Sequence, residues 1–242
     1  MNEYSGKHVV ITGGSSGIGL ATAGLLAGGG ARVVITGRSQ AALDAARERL
    51  GPNVSTVRSD VSSLSHLDVL AARVGDELGA VDALFVNAGI TRATPLATTT
   101  EEMFDESFAI NVKGAFFTVQ KLAPLLRTGA GVVLTTSAAN VVGLLDTSVY
   151  AAGKAALRSM ARSLSRELLP RGIRVNAVSP GPVDTGTLER TMAVEEAREF
   201  KAARMAENPM GRFGTPEEIA RAAAFLAFDA IELVADGGVT QL

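Results

Sequence analysis

The 242-residue chain lacks cysteine entirely and contains only two histidines. Without cysteine it can form neither a disulfide nor a thiolate metal site. The two histidines, His8 and His66, have no second ligand at a metal-binding spacing, so we interpret both as structural residues. The sequence therefore predicts no metal site.

A basic excess and a membrane-length apolar run are also absent. The formal net charge is −2 and no cluster of lysine and arginine stands out, which argues against a nucleic-acid partner. No uninterrupted apolar stretch is long enough to cross a bilayer, and residues 1–7 do not show the basic and apolar pattern of a signal peptide. We expect a cytoplasmic protein with no membrane partner.

What the chain does contain is enough apolar material for one α/β domain spanning residues 1–242. Apolar residues make up 47% of the sequence and charged residues 20%, a balance that excludes a disordered chain. Short β-branched runs alternate with helical stretches, which is typical of a parallel sheet built from β-α units. Residues 183–212 are more polar than their surroundings and are a candidate substrate lid.

A glycine-rich loop follows the first predicted strand, residues 7–12. The loop runs from Gly13 to Gly19, and a helix rich in alanine and leucine follows it. Glycines let the backbone approach phosphate groups, and the free amides of a helix N-terminus favour negative charge. The pattern predicts a site for the pyrophosphate of a dinucleotide, although a simple tight turn is an alternative.

The end of the second predicted strand, residues 32–36, bears on the choice of cofactor. It is followed by Gly37 and Arg38, and no acidic residue occurs before Asp44. A carboxylate at this place usually accepts hydrogen bonds from the ribose of NAD, whereas an arginine suits the 2′-phosphate of NADP. We favour NADP, with a solvated arginine at a helix start as the alternative.

Polar or small residues also follow later predicted strands. Asp60 could contact an adenine or cap the next helix. Asn87-Ala88-Gly89 would let a flat ring approach the backbone, and Ser137 ends the fifth strand. Because ligands of open parallel sheets bind at the carboxyl ends of the strands, we expect these residues to share one crevice.

Three further residues are candidates for chemistry. Asn111 interrupts an apolar helical surface and is either a structural hydrogen-bond node or part of a site. Tyr150 and Lys154 lie four residues apart in an alanine-rich helical run, a spacing that puts both on one helical face. A phenol exchanges protons poorly near neutrality unless a fixed positive charge stabilises its phenolate. An ordinary surface helix is the alternative.

In their order and spacing these motifs resemble the classical short-chain dehydrogenase/reductase family over nearly the whole chain. The resemblance implies a doubly wound, Rossmann-type sheet of seven parallel strands, with helices on both faces and NAD(P) along the carboxyl edge. The matching segments are Thr12–Gly19, Asp60, Asn87–Gly89, Asn111, Ser137, Tyr150 with Lys154, and Pro180-Gly181 with Thr185.

The resemblance also implies roles for these residues. Tyr150 would be the general acid in carbonyl reduction and the general base in alcohol oxidation. Lys154 would stabilise its phenolate and bind the nicotinamide ribose, Ser137 would hold the substrate oxygen, and Asn111 would position a water for proton relay. The predicted cofactor contacts are Gly13, Ser15, Ser16, Gly17, Ile18, Gly19, Arg38, Asp60, Val61, Asn87, Ala88, Gly89, Tyr150, Lys154, Pro180, Gly181, Val183 and Thr185.

The expected function is that of an oxidoreductase that prefers NADP(H), accepts NAD(H) as a possible cofactor, and interconverts a carbonyl and a secondary alcohol. An NAD-dependent alcohol dehydrogenase, an NADP-binding sensor or scaffold without turnover, and another chemistry such as dehydration or epimerisation are the alternatives. The substrate would be a small ketone or alcohol in a mostly apolar pocket. We expect the pocket to be lined by Ala139, Asn140, Leu144, Leu145, Val183 and residues 187–210.

The sequence departs from the family pattern at Gly153, where a serine is usual, and at Phe228–Glu232. Family members have several more residues at the second place, including a threonine-glycine turn before the last strand. Related enzymes use that region in tetramer contacts. We expect a homo-oligomer, either a tetramer or a dimer.

Overall fold

The computed structural model describes residues 3–188 and 193–229 and the backbone of residues 233–235. Parallel strands pair side by side in the order β3-β2-β1-β4-β5-β6-β7. The strands are β1 (His8–Thr12), β2 (Arg32–Gly37), β3 (Val54–Arg58), β4 (Val81–Val86), β5 (Leu126–Thr135), β6 (Arg174–Pro180) and β7 (Leu233–Ala235).

Helices connect the strands and cover the sheet on both faces. They are α1 (Gly17–Gly28), α2 (Gln40–Leu50), α3 (Leu64–Leu78), α4 (Glu101–Phe108), α5 (Ala115–Leu122), α6 (Ser148–Leu168), α7 (Val194–Glu207) and α8 (Pro216–Phe228). One apolar core joins the sheet to α3, α5 and α6, and a second joins it to α1, α2 and α8. The predicted parallel α/β fold is confirmed, and the count of seven strands is reached only with the three-residue β7 included.

Strand β1 shows why these residues form a doubly covered sheet. Val10 packs in the core beneath α3, α5 and α6, while Val9 and Ile11 pack in the opposite core. Successive side chains of a strand point to opposite faces, so an uninterrupted run of β-branched residues fills both cores at once. The end of β1 is thereby fixed in the middle of the sheet.

The apolar run Ala83–Val86 predicts the fourth strand, but β4 begins two residues earlier, at Val81, and includes a buried acid. Asp82 is 8% exposed and accepts a hydrogen bond from the backbone N–H of His8 at 2.8 Å. The Arg127 guanidinium lies 3.3 Å from its carboxylate. Acidic residues are depleted in strands, so the sequence pattern alone did not include Asp82.

Apolar residues at helical spacing predict a helix from Thr100 through Phe116, and the structure divides this stretch. A wider π-helical turn, Ala109–Gly114, separates α4 from α5 and contains Asn111. Such turns often occur at functional sites. This one brings Asn111 towards the loop after β4, as described below.

Helix α8 begins as its sequence predicts. The Thr215 hydroxyl accepts from the backbone N–H of Glu218, and the Glu218 carboxylate accepts from the backbone N–H of Thr215, with Pro216 in the first turn. A hydrogen-bonded Arg212 lowers the pKa of Glu218 to about 2. The shortened connection expected at Phe228–Glu232 lies partly outside the described residues, at 230–232.

None of the helices in the described part of the chain is both long enough and apolar enough to span a bilayer.

Candidate active site

The glycine loop after β1 lies directly against the loop after β4. Gly13 has a φ of +66°, and a Cβ there would lie 2.9 Å from the Cα of Ala88. The Thr12 hydroxyl oxygen accepts from the backbone N–H groups of Asn87 and Ala88, at 3.1 and 3.2 Å. Any side chain at Gly13 would separate the two loops, so only glycine fits.

The side chain of Asn87 joins the ends of three strands. Its amide nitrogen donates to the carbonyls of Thr12 and Gly13, and its amide oxygen accepts from the Thr135 hydroxyl at 3.3 Å. These contacts satisfy carbonyl groups that the sheet leaves unpaired where its strands end. The prediction that Asn87 and the glycine loop share one sheet edge is confirmed.

Two adjoining cavities follow this edge. The first, of about 580 Å³, lies between the glycine loop and the ends of β2 and β3, and the second, of about 320 Å³, extends to α6 and the loop after β6. The first contains Gly13, Ser15, Ser16, Arg38, Asp60, Val61, Ala88 and Gly89, and the second adds Gly17, Ile18, Asn87, Tyr150, Lys154, Pro180, Gly181, Val183 and Thr185.

The residues of this crevice fit a dinucleotide. The cavities share the glycine loop at the start of α1, where backbone amides can hold a pyrophosphate between two nucleoside halves. Gly19 is the predicted contact that lines neither cavity. Gly19 packs so closely against the Gly13 carbonyl that a Cβ at Gly19 would collide with it. Gly19 therefore supports the conformation of the glycine loop.

At the outer end of the first cavity, Arg38 is exposed beside Asp60. Although burial raises the pKa of Asp60, hydrogen bonds from the Ser62 side chain and backbone lower the pKa overall. The Ser62 hydroxyl and N–H donate to one Asp60 oxygen at 2.7 and 2.9 Å. Asp60 thus fixes the turn before α3 and also faces the cavity. The alternative that Asp60 caps α3 is wrong, because the cap is Ser63, whose hydroxyl accepts from the N–H of His66.

The second cavity contains a buried ammonium group. Lys154, 5% exposed, donates from Nζ to the Thr135 carbonyl at 2.8 Å and lies 5.7 Å from the centre of the Tyr150 ring. Burial lowers the pKa of Lys154, and the nearby Tyr150 opposes that shift. The pair is therefore part of a crevice, and the alternative of an ordinary surface helix is wrong.

A third cavity, of about 350 Å³, meets the second at Ser137 and Tyr150. Ala139 and Leu144 line it as predicted, whereas Leu145 is 83% exposed and lies outside it. The expectation for Leu145 is wrong because adjacent residues on the loop point in different directions. Other apolar residues around this cavity are Ala138, Val142, Val183, Leu188, Phe200 and Phe213.

Part of the predicted lid borders this third cavity. Phe200 and Arg204 on α7 line it, with the Arg204 guanidinium 5.3 Å from the Phe200 ring centre. The Lys201 ammonium pairs with Asp184 at 2.7 Å and connects α7 to the segment after β6. Residues 189–192 of the predicted lid lie outside the described part of the chain.

Asn111 is fully buried beside the second cavity. Its amide oxygen accepts from the N–H of Ile90 at 2.9 Å, and its nitrogen donates to the Ile90 carbonyl at 3.0 Å and to the Ser107 hydroxyl at 3.3 Å. A Cβ added at Gly89 would lie 2.8 Å from the Asn111 oxygen and 3.5 Å from Lys154 Nζ. Asn111 is therefore a structural hydrogen-bond node, and it lies near the ammonium group.

The sequence did not single out several residues that complete the site. The Thr135 carbonyl accepts a hydrogen bond from Lys154 Nζ. Ser39 and Ile90 line the first cavity. Main-chain acceptors carry no residue-type signal. Only its position, at the end of β5 and two residues before Ser137, could have indicated Thr135.

The histidines do not form a metal site. His8 Nδ1 lies 3.0 Å from the Ala80 carbonyl, and His66 Nδ1 accepts from the N–H of Asp60 at 3.2 Å. Within residues 3–188 and 193–229, no three His, Asp or Glu side chains group around a possible ion.

Comparison with known proteins places this site in a family. A family model described as "Enoyl-(Acyl carrier protein) reductase" matches residues 13–240. Oxidoreductase asL5 of Sarocladium schorii is 40% identical over 250 residues, which cover 100% of this chain and 99% of that protein. A 2,5-dichloro-2,5-cyclohexadiene-1,4-diol dehydrogenase of Sphingobium indicum is 36% identical over 252 residues, covering both chains fully.

A solved structure agrees with these matches. The short-chain dehydrogenase/reductase (glucose/ribitol dehydrogenase) from Brucella melitensis is 33% identical, covers 98% of each chain and superposes with a TM-score of 0.90. The chain belongs to the short-chain dehydrogenase/reductase family. It is an oxidoreductase that acts on alcohol or carbonyl groups, and its family binds NAD(P)(H).

We predict that Asn111→Ala lowers the free energy of unfolding by about 2 kcal/mol, because it leaves the N–H and carbonyl of Ile90 without partners. Urea unfolding followed by circular dichroism measures the loss. Ser107→Ala removes only one of the Asn111 contacts and should cost less. Equal stabilities of Asn111→Ala and the wild type would show that water replaces the asparagine.

Proposed function

We propose that the protein is an NADPH-preferring reductase and dehydrogenase that interconverts a ketone and a secondary alcohol, with Tyr150 as the acid and base. The observation that carries this proposal is the junction of the second and third cavities at Ser137 and Tyr150, with the Lys154 ammonium 5.7 Å from the Tyr150 ring centre. A proton-transfer group thus borders both the cofactor crevice and the apolar pocket.

NADP(H), when held by the residues of the first two cavities, would supply or accept the hydride. In the reductive direction negative charge develops on the substrate oxygen, and the hydroxyl groups of Ser137 and Tyr150 stabilise that charge as it forms. Tyr150 then gives its proton to the oxygen. Lys154 stabilises the resulting phenolate through its positive charge, and in alcohol oxidation Tyr150 takes the proton back.

In this proposal Asn111 takes part in proton transfer to Lys154 and does not contact the substrate. The narrow space between the Asn111 oxygen, Gly89 and Lys154 Nζ supports a relay in which Asn111 holds a water that returns a proton towards Lys154. The wider turn of residues 109–114 gives Asn111 this position.

Arg38 supports the preference for NADPH. It borders the first cavity, and among the described residues around that cavity Asp60 is the only acid, held in its own turn by Ser62. An exposed guanidinium offers several donors in a planar arrangement that suits a phosphate. NADH would lack that contact, so it would serve as the weaker cofactor.

The third cavity supports a small and mainly apolar substrate. Its volume of about 350 Å³ is near the lower end of ordinary ligand pockets, and most of its described side chains are apolar. Residues 183–212 act as the lid in this proposal, since α7 borders the cavity.

The proposal also includes the assembly and the location of the protein, which we take to be a cytoplasmic homo-oligomer, either a tetramer or a dimer. The exposed aromatic side chains of Phe104 on α4 and Phe116 on α5 support subunit contact, because they are 44% and 37% exposed.

Replacing Tyr150 by phenylalanine should reduce kcat by roughly 10²–10⁴-fold, because the substrate oxygen loses its proton donor. The dissociation constant for NADPH, followed by its fluorescence, should change less than threefold. Tyr4, the only other tyrosine, lies beside Phe228 outside all three cavities, so Tyr4→Phe is the matched control. Full turnover by Tyr150→Phe would refute the proposed role. If a broad panel of ketones and alcohols is not turned over despite tight NADPH binding, the sensor alternative is correct.

Replacing Arg38 by glutamine should weaken NADPH binding by roughly tenfold or more while leaving NADH binding nearly unchanged, since only NADPH carries the 2′-phosphate. Initial rates over a range of each cofactor measure the two KM values. Arg47→Gln removes an exposed arginine of α2 that lines none of the described cavities and serves as control. A wild-type preference for NADH would contradict our interpretation of Arg38.

Two adjacent leucines test the position of the substrate. Leu144→Asn should raise the KM for apolar ketones such as acetophenone or 2-octanone by roughly tenfold, because the substrate loses apolar contact. Leu145→Asn should change it less than twofold, since Leu145 lies outside the cavity. The assay follows NADPH absorbance over this panel, with hydroxyacetone as the polar comparison. Similar effects of both changes would place the substrate elsewhere.

A further inference from the structure

A polar network adjoins Ser137. Its centre is Asn140, the last residue of the short 3₁₀ turn Ala138–Asn140 that follows β5. The sequence suggested Asn140 as a pocket residue, but it does not line the third cavity. Its side chain contacts the carbonyl of Ser137, the hydroxyl of Ser179 and the guanidinium of Arg158.

Arg158 determines which way the Asn140 amide faces. A guanidinium can only donate, so the Asn140 atom 3.1 Å from Arg158 Nη1 must be the amide oxygen. The amide nitrogen then donates to the Ser137 carbonyl and, at 3.1 Å, to the Ser179 hydroxyl. An aspartate would place an oxygen against the Ser137 carbonyl. The position therefore requires a donor and an acceptor together, which is the chemistry of an amide.

The network holds Ser137, which the proposed reaction requires. The Ser137 carbonyl accepts from the Asn140 backbone N–H at 3.0 Å and also from the Asn140 side chain. Ser179 is itself hydrogen-bonded to the hydroxyl of Thr136, the residue before Ser137. Asn140 therefore ties the end of β5 to the end of β6 and, through Arg158, to α6.

The Ser137 hydroxyl can still donate its hydrogen. Ser137 Oγ already accepts from the N–H of Ala139 at 3.2 Å, so its hydrogen is the part that can reach a substrate. A misplacement of about 1 Å in a catalytic group can cost roughly 10²-fold in rate. A turn without the side-chain tie would let Ser137 move on that scale.

We propose that Asn140, oriented by Arg158, is a positioning residue that aims the Ser137 hydroxyl at the substrate oxygen. The proposal rests on the function proposed above, because it requires Ser137 to contact the substrate. The competing explanation is a structural role alone, in which Asn140 stabilises the strand ends with no specific effect on Ser137.

A double-mutant cycle separates the two explanations. Ser137→Ala should reduce kcat by roughly 10²–10³-fold through loss of one donor to the developing charge. Asn140→Ala should reduce kcat by roughly 10–100-fold, with KM for the ketone and the dissociation constant of NADPH changed less than threefold. The double variant should be no slower than Ser137→Ala, because Asn140 acts through a hydroxyl that is no longer present. The assay uses NADPH and the fastest ketone of the panel above.

Variants that alter one contact at a time sharpen the test. Asn140→Asp keeps an acceptor for Arg158 and loses the donor to Ser137, so its kcat should fall at least as far as that of Asn140→Ala. Arg158→Lys keeps a donor and should retain more kcat than Arg158→Met. Arg162→Met changes an exposed arginine one turn further along α6 and should match the wild type. Urea unfolding of each variant shows that the compared proteins are folded.

The outcomes are distinguishable. If Ser137→Ala and Asn140→Ala each reduce kcat and their effects multiply in the double variant, the positioning role is refuted while the proposed function stands. Full kcat in Asn140→Ala or Asn140→Asp refutes it equally. If Ser137→Ala itself turns over at the wild-type rate, the assigned role of Ser137 fails and the positioning role fails with it.

Discussion

A buried ammonium group is the constraint on which the site depends. Lys154 is 5% exposed, and an unpaired charge in such a place would be costly. One partner is the Thr135 carbonyl at the end of β5, and the Tyr150 ring lies close by on the same helix. Burial lowers the pKa of Lys154, and the nearby Tyr150 opposes that shift. A phenolate at Tyr150 or the hydroxyl groups of a bound ribose would further compensate the charge of Lys154.

The sheet supplies the acceptors and donors that make this burial possible. Parallel strands end at one edge with carbonyl groups that the ladder does not pair, and each of these must find another partner. Asn87 takes the carbonyls of Thr12 and Gly13, and Lys154 takes that of Thr135. The residues of the site therefore satisfy the sheet edge as well as forming the crevice. One residue can satisfy backbone groups and border the crevice at the same time, as Asn87 does.

Most of the fold could be predicted from local sequence, because the strands are β-branched runs and the starts of α2, α3, α4 and α8 carry side-chain caps. What could not be predicted depended on distant contacts. The start of β4 was missed because Asp82 is stabilised by His8 and Arg127, from two other strands. The wider turn at Asn111 exists where its side chain binds the backbone of Ile90, twenty-one residues away.

The site likewise has parts that the sequence predicted and parts that it did not. Nearly all the predicted cofactor residues border the crevice, because ordered strand ends fix their place in this fold. The substrate cavity was predicted less well, since Leu144 and Leu145 are alike in sequence and differ only in the direction that the loop gives them. Side-chain directions in an irregular loop follow no periodic pattern, so the sequence cannot predict them.

Helix α6 connects these parts through a spacing that the sequence does contain. Tyr150, Lys154 and Arg158 lie at intervals of four residues and therefore form one stripe along the helix. Tyr150 borders the cavities at Ser137, Lys154 donates to Thr135, and Arg158 donates to Asn140. Three successive turns of one helix thus reach three residues in the segment where β5 ends. Arg158 continues the Tyr150-Lys154 interval by one more step. In the two proposals above, α6 therefore carries the proton donor, the buried charge and the residue that orients Asn140.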